Sequence, residues 1–281
     1  MVKTGLVLEG GALRGLYTAG ILDVWMDEGV HIDALFGVSA GALFGANIFS
    51  GQKGRALRYN KRFLRDKRYM SMYSLLTTGD YVGKKFAYYD ITTKYDPYDE
   101  ATFEKSGGEF FAAVTNVRTG QAEHMRITNV MEQMEILRAT AALPFVSRMV
   151  DLNGEKYLDG GVADSIPYKA CLEKGYDKVI VVLTRPMDYR KSPMKPALAR
   201  LFYSRHKNFC KALENRHERY NAQVAEVTRL EKEGKVFIIR PESALEIARL
   251  EKDPEKLQAV YDRGVADGKK TLAALKAYLE S

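Results

Sequence analysis

Ser39 occupies the centre of Gly37-Val38-Ser39-Ala40-Gly41, a G-x-S-x-G pattern between the apolar stretches DALFGV (33–38) and AGALFGANIFSG (40–51). A strand that turns into a helix at one residue holds that residue in a strained backbone conformation. Flanking glycines leave room there where a Cβ would collide. The hydroxyl stands at the corner, and the N-terminus of the following helix faces the reacting centre, where amides and dipole stabilise negative charge. The pattern alone is weak in a glycine-rich chain; its place between an apolar strand and an apolar helix is the context a nucleophile requires. The chemistry on offer is attack by Ser39 on an acyl carbonyl.

Such an attack needs an oxyanion hole and a base. The loop EGGALRG (9–15) suits the hole, because adjacent glycines allow successive amides to point into one concavity, with Arg14 orienting the loop or adding positive charge. The loop has a second reading. Gly10, Ala12 and Gly15 have the spacing of a dinucleotide fingerprint, and Asp33 lies near the distance expected of a ribose-binding acid. The serine corner on the next strand favours the hole, since the two loops would then meet at the carboxyl ends of adjacent strands. For the base, His31 precedes the corner strand, His124 lies in a hairpin strand, and His206 and His217 lie on a basic helix. None follows a loop placed to meet Ser39. The stretch YLDGG (157–161) puts Asp159 at the end of an apolar strand, where it reads either as a base or as a simple Asp-Gly turn before Gly160 and Gly161.

The elements that must position these residues follow from apolar periodicity. Strand 3–8, helix 16–29, strand 33–38 and helix 40–51 alternate, which argues for a mainly parallel sheet with helices on both faces. A helix is expected over 53–66. Residues 67–95 show weak periodicity and read as irregular. Asp96 and Pro97 read as the cap and first residue of a helix over 96–105. EFFAAVTNV and QAEHMRI form a hairpin, Asn129 caps the helix VMEQMEILRATAA, and Asn153-Gly154 joins RMVDL to EKYLD. Ser165 caps the helix IPYKACLEKG, and DKVIVVLTRP is an apolar strand. From 187 the chain becomes basic: a linker, one long helical run over 197–234, the strand KVFIIRP and a charged helical remainder. The expected division is a catalytic domain over 1–186 and a basic helical extension over 187–281 packed on it.

With 46% hydrophobic and 28% charged residues, the composition is that of an ordinary soluble protein. No stretch approaches the roughly 20 apolar residues of a membrane span, and the N-terminus has no cleavable-signal pattern. Cys171 and Cys210 lack motif spacing, so two free thiols in a reducing compartment are expected, and no structural zinc. A net charge of +7 favours anionic partners without choosing among lipid headgroups, nucleic acid and acidic metabolites.

The ordered set GGALRG, GVSAG and DGG resembles the patatin-like phospholipases, and RATAALPFVSRMVDLNGEKYLDGG resembles that family's approach to its aspartate. The resemblance covers about residues 4–185; the remainder is similar to an extension of bacterial members. It implies a three-layer α/β/α fold and a carboxylic ester hydrolase of phospholipase A, lysophospholipase or esterase type. Ser39 would attack the carbonyl and Asp159 would take its proton, without histidine, metal or cofactor. The amides of Gly10, Gly11, Ala12 and Ala40 would form the hole, supported by Arg14, Gly15, Gly37, Gly41, Gly160 and Gly161. Ala12 departs from the family's third glycine, and its Cβ restricts positive φ. The implied partners are a lipid or other ester and an anionic membrane surface, with no nucleic acid, in a cytoplasmic or peripheral location.

Overall fold

The structure is a computed structural model that describes residues 2–248 and 251–281. Its centre is an eight-stranded sheet in the order β5-β6-β3-β2-β1-β7-β8, with β4 also paired to β3. The strands are β1 (Thr4–Leu8), β2 (Ala34–Val38), β3 (Glu109–Asn116), β4 (Ala122–Ile127), β5 (Val150–Leu152), β6 (Glu155–Asp159), β7 (Lys178–Val182) and β8 (Phe237–Ile239). Strands β3, β2, β1, β7 and β8 run parallel; β4 and β6 pair antiparallel with β3, as β5 does with β6. The chain reverses between β5 and β6 at Asn153 (φ 54°) and Gly154 (φ 87°), the two left-handed residues that this tight turn demands.

The helices are α1 (Gly15–Asp27), α2 (Ala40–Ser50), α3 (Arg55–Phe63), α4 (Met72–Thr78), α5 (Glu100–Ser106), α6 (Met134–Thr140), α7 (Tyr168–Glu173), α8 (Pro196–Tyr203), α9 (Lys207–Glu214), α10 (Arg216–Lys232) and α11 (Pro254–Glu280). Because side chains alternate along a strand, Leu6, Leu8, Leu35 and Val182 bury against α1, α2 and α11. Val7, Phe36, Val179 and Val181 bury against α7 and α10 on the opposite face. The three-layer α/β/α arrangement is therefore built in part by residues beyond 187. Of these, β8 extends the sheet, α10 covers one face and α11 the other, where Tyr17 donates to Asp267 at 2.9 Å. Cys171 and Cys210 are buried and unpaired, and burial pushes the Cys171 thiol up to about 12.

Several local expectations change. Residues 67–95 are not irregular: they hold α4 and a wide helix, Lys84–Tyr95, with the i→i+5 pattern. Apolar residues in such a helix do not recur at 3.6, so the usual template misses it. Asp96 pairs with Arg58 at 2.9 Å, while Asp99 caps α5 by accepting from the Thr102 amide. Asn129 accepts from the Glu132 amide in a preceding turn, and α6 proper starts after Gln133. Ser165 donates to the Gly161 carbonyl, and α7 starts only after Pro167. The run expected over 197–234 breaks into α8, which starts at Pro196, α9 and α10. Its apolar residues serve two cores that no straight helix reaches: Phe209 and Leu213 pack beside β6, Tyr220 and Val224 beneath the parallel strands.

Candidate functional site

The serine corner is formed by β2 and α2. Ser39 has φ 53° and ψ −124°, a conformation that non-glycine residues reach only when the surroundings enforce it. The enforcement is visible. The Ser39 amide donates to Thr140 Oγ1 at 2.9 Å, and that hydroxyl donates onward to the Ala113 carbonyl. The Ser39 side chain makes no capping bond to α2, so its hydroxyl is not spent on the helix. A Cβ at Gly37 would come within 2.5 Å of the Ala42 backbone, and one at Gly41 within 2.5 Å of the Leu8 carbonyl. Both glycines are thus required for β2 to turn into α2 against β1.

The glycine loop lies beside this corner, since β1 and β2 are parallel neighbours. A Cβ at Gly10 would sit 3.1 Å from that of Ser39, and one at Gly15 2.9 Å from that of Ala40. Ala12 adopts φ 49°, so alanine accepts the positive φ that its Cβ disfavours. Among the described residues the amides of Gly10, Gly11 and Ala12 have no acceptor, and Ala40 opens α2 with its amide outside the helical bonding. Glu9 anchors the loop. Its carboxylate accepts from the Thr184 amide and hydroxyl and, at 2.8 Å, from Tyr220 OH. Glu9 and Thr140 lie within stretches singled out in the sequence, yet their roles are not legible there, because both act through partners distant along the chain.

Register brings Asp159 to the same level. Val38 pairs with Ala113 on β3, and Asp159 pairs with Val114 from the other side. Ser39, one residue past Val38, and Asp159 therefore leave the sheet with β3 between them, about 10 Å apart at the backbone. Asp159 is 2% exposed, and its Oδ1 accepts from the Gly161 amide at 2.7 Å. Gly161 is held by Arg216, which donates to its carbonyl. A Cβ at Gly160 would strike the Ala113 carbonyl at 2.0 Å, so the DGG turn hugs β3.

Two cavities meet at Ser39. One, of about 130 Å³, is apolar, lined by residues such as Leu13, Leu43, Phe44, Tyr88, Ile91 and Leu137. The other, of about 60 Å³, is polar and holds Gly10, Gly11, Arg14, Asp159, Gly161 and Arg216. Ala12, Ser39 and Leu143 line both. None of the four histidines lines either. His31 pairs with Asp33 at 3.2 Å, His124 with Asp164 at 2.9 Å, and His217 with the Glu214 carbonyl. Asp33 precedes β2 and accepts from the Thr4 amide at the amino end of β1, the opposite end of the sheet from the glycine loop. It is not placed to meet a ribose there, which removes the dinucleotide reading of the loop.

The loop can be tested directly. A Cβ at Gly11 would lie 2.8 Å from Thr184 Oγ1 and 3.3 Å from the Arg14 Cβ. Gly11→Val displaces the loop, and turnover on an ester substrate is expected to fall by about 10²-fold, as for deletion of an oxyanion donor. Unchanged turnover in a folded variant excludes this loop from the hole.

Known proteins resemble the chain as follows. The family model described as "Patatin-like phospholipase" matches residues 6–172, and one described as "Domain of unknown function (DUF6363)" matches residues 206–280. The uncharacterized protein YjjU of Escherichia coli is 27% identical over 196 residues, 68% of this chain and 54% of YjjU. The lysophospholipase NTE1 of Candida glabrata is 26% identical over 196 residues, 68% of this chain and 11% of NTE1. The chain thus spans about half of the first relative and about a tenth of the second. VipD from Legionella pneumophila superposes with a TM-score of 0.48 at 11% identity, covering 97% of this chain and 67% of VipD. Since the match over residues 6–172 takes in more than half of the chain, this protein belongs to the patatin-like phospholipase family.

Proposed function

We propose that the protein is a serine lipid-acyl hydrolase that cleaves carboxylic esters through an acyl-enzyme on Ser39. The observation that carries this is the strained Ser39 in the wall shared by an apolar cavity and a polar one containing Asp159. On this reading the acyl chain enters the apolar cavity and the alcohol occupies the polar one. Asp159 takes the Ser39 proton as Oγ attacks the carbonyl, and the amides of Gly10, Gly11, Ala12 and Ala40 stabilise the oxyanion. The same proton passes to the departing alkoxide. Asp159 then activates water, which releases the acid and restores Ser39. A carboxylate is a weaker base than imidazole, which suits esters, whose alcohol needs less acid assistance than an amine. Residues 1–186 carry this chemistry, and 187–281 close its polar side. A fluorophosphonate probe and a panel of lipid and short-chain esters test the reading; no covalent label and no turnover would reject it.

The same function calls for contact with lipid aggregates. Among the described residues no helix is long and apolar enough to cross a membrane. Instead α8 exposes Leu198, Leu201 and Phe202, and α4 exposes Met72, Tyr73 and Leu76. Phe202 stacks edge-on to Phe145 at 5.3 Å, two residues from Leu143 in the shared cavity wall. On α8, α9 and the turn between them Arg200, Arg205, Lys207 and Lys211 are exposed, Arg200 pairing with Glu214 at 3.3 Å. Each basic residue near an anionic bilayer contributes about 1 kcal/mol. Reversing all four to glutamate should weaken co-sedimentation with anionic vesicles by about 10-fold or more at low salt. Binding that survives the reversal removes the docking role.

A further inference from the structure

The basic residues beyond 184 do not all face solvent. Arg185 and Lys191, in the connector after β7, line the polar cavity with Arg14, Arg216 and Ser39. Neither Arg185 nor Lys191 forms an ion pair among the described residues. The cavity's carboxylates, Glu9, which accepts from Thr184 and Tyr220, and Asp159, whose Oδ1 accepts from the Gly161 amide, are outnumbered by Arg14, Arg185, Lys191 and Arg216. Its two aromatic rings are taken. Arg185 lies 4.3 Å over Tyr189, and Lys191 lies 4.3 Å over Tyr220. A quaternary ammonium is held by open aromatic faces or carboxylates. Here the chain's own cations cover those faces, and the surplus charge is positive. Lys191 is fixed in place by reciprocal backbone bonds with the Asn221 amide group. Burial and the nearby Arg216 push its ammonium down to about 7, so an incoming anion supplies countercharge that the fold leaves short.

We propose that Arg185 and Lys191 form a subsite for a small anionic group of phosphate chemistry on the alcohol side of the ester, selecting net-negative headgroups over zwitterionic ones. This rests on the hydrolase reading, which places the leaving alcohol in the polar cavity. Charged partners favour this geometry. Guanidinium and ammonium donors bind phosphate oxygens through charge-assisted hydrogen bonds, and a bound anion is not screened in a half-buried cavity as it is at the surface.

The test compares three substrates with one acyl chain: 1-acylglycerol 3-phosphate, the matched lysophosphatidylcholine and the matched monoacylglycerol, each below its aggregation threshold. The wild type is expected to show kcat/KM about 10-fold or more higher for the phosphate ester than for the other two, the worth of one lost charge-assisted contact. In Arg185→Gln and Lys191→Gln that ratio should fall several-fold, with circular dichroism checking the fold. Glycerol 3-phosphate should compete with the phosphate ester, and glycerol should not. Equal kcat/KM across the three substrates in the wild type overturns the proposal without touching the hydrolase reading, and needs no variant to fold. Inhibition by inorganic phosphate with no preference among the lipids also overturns it, assigning the cations to a free anion. Should no ester be turned over, the hydrolase reading fails first. Calorimetric titration of the protein with glycerol 3-phosphate then decides the subsite, and absence of binding overturns it.

Discussion

Ser39→Ala is expected to remove ester hydrolysis by about 10³-fold or more and to abolish fluorophosphonate labelling, while the protein stays folded. The hydroxyl makes no capping bond, so its deletion leaves no helix amide newly unsatisfied. The bond that holds the corner runs from the Ser39 backbone amide to Thr140 and survives the substitution. Alanine fits sterically, since the space that the corner lacks lies at Gly37 and Gly41. A second variant separates chemistry from strain. At φ 53° a non-glycine residue stores about 1–3 kcal/mol, which glycine releases, against about 0.5–1 kcal/mol of added chain entropy. Ser39→Gly should therefore be as inactive as Ser39→Ala and unfold at the same temperature or higher. Labelling of Ser39→Ala at the wild-type rate would refute the nucleophile.

The serine corner was legible because strand, turn and helix are consecutive and each leaves a local signature. Asn153-Gly154 was legible for the same reason: two residues with positive φ suffice to join β5 to β6. What escaped was non-local or off-period. Tyr88 and Ile91 line the apolar cavity from a wide helix whose spacing matches neither template. Thr140 reaches Ser39 across 101 residues and Tyr220 reaches Glu9 across 211, and no window contains such pairs. Basic residues recur throughout 185–220, yet the fold divides them between two environments. Arg200, Arg205, Lys207 and Lys211 remain outside, while Arg185, Lys191 and Arg216 turn into the polar cavity. Sequence supplies the count of charges; the fold decides which of them line the polar cavity beside Ser39.

Asp159→Asn is expected to lower turnover by about 10²-fold or more with little loss of stability. Asparagine keeps the shape, and its Oδ1 can still accept from the Gly161 amide, the bond that sets the DGG turn. Its amide cannot take the Ser39 proton, so acylation stalls even where substrate binds. Glu9 is the other carboxylate in the polar cavity and provides the control. Both of its oxygens accept from donors, Thr184 on one side and Tyr220 on the other. Glu9→Gln turns an NH₂ towards one of those donors, which costs about 1–3 kcal/mol of stability. The two variants should therefore separate: Asp159→Asn inactive at near-normal unfolding temperature, Glu9→Gln less stable, with a smaller fall in turnover per folded molecule. Single replacement of His31, His124, His206 or His217 should leave substantial activity, because none of them lines either cavity. A folded histidine variant as inactive as Ser39→Ala, or an Asp159→Asn protein that turns over at the wild-type rate, would show that the serine draws its base from elsewhere.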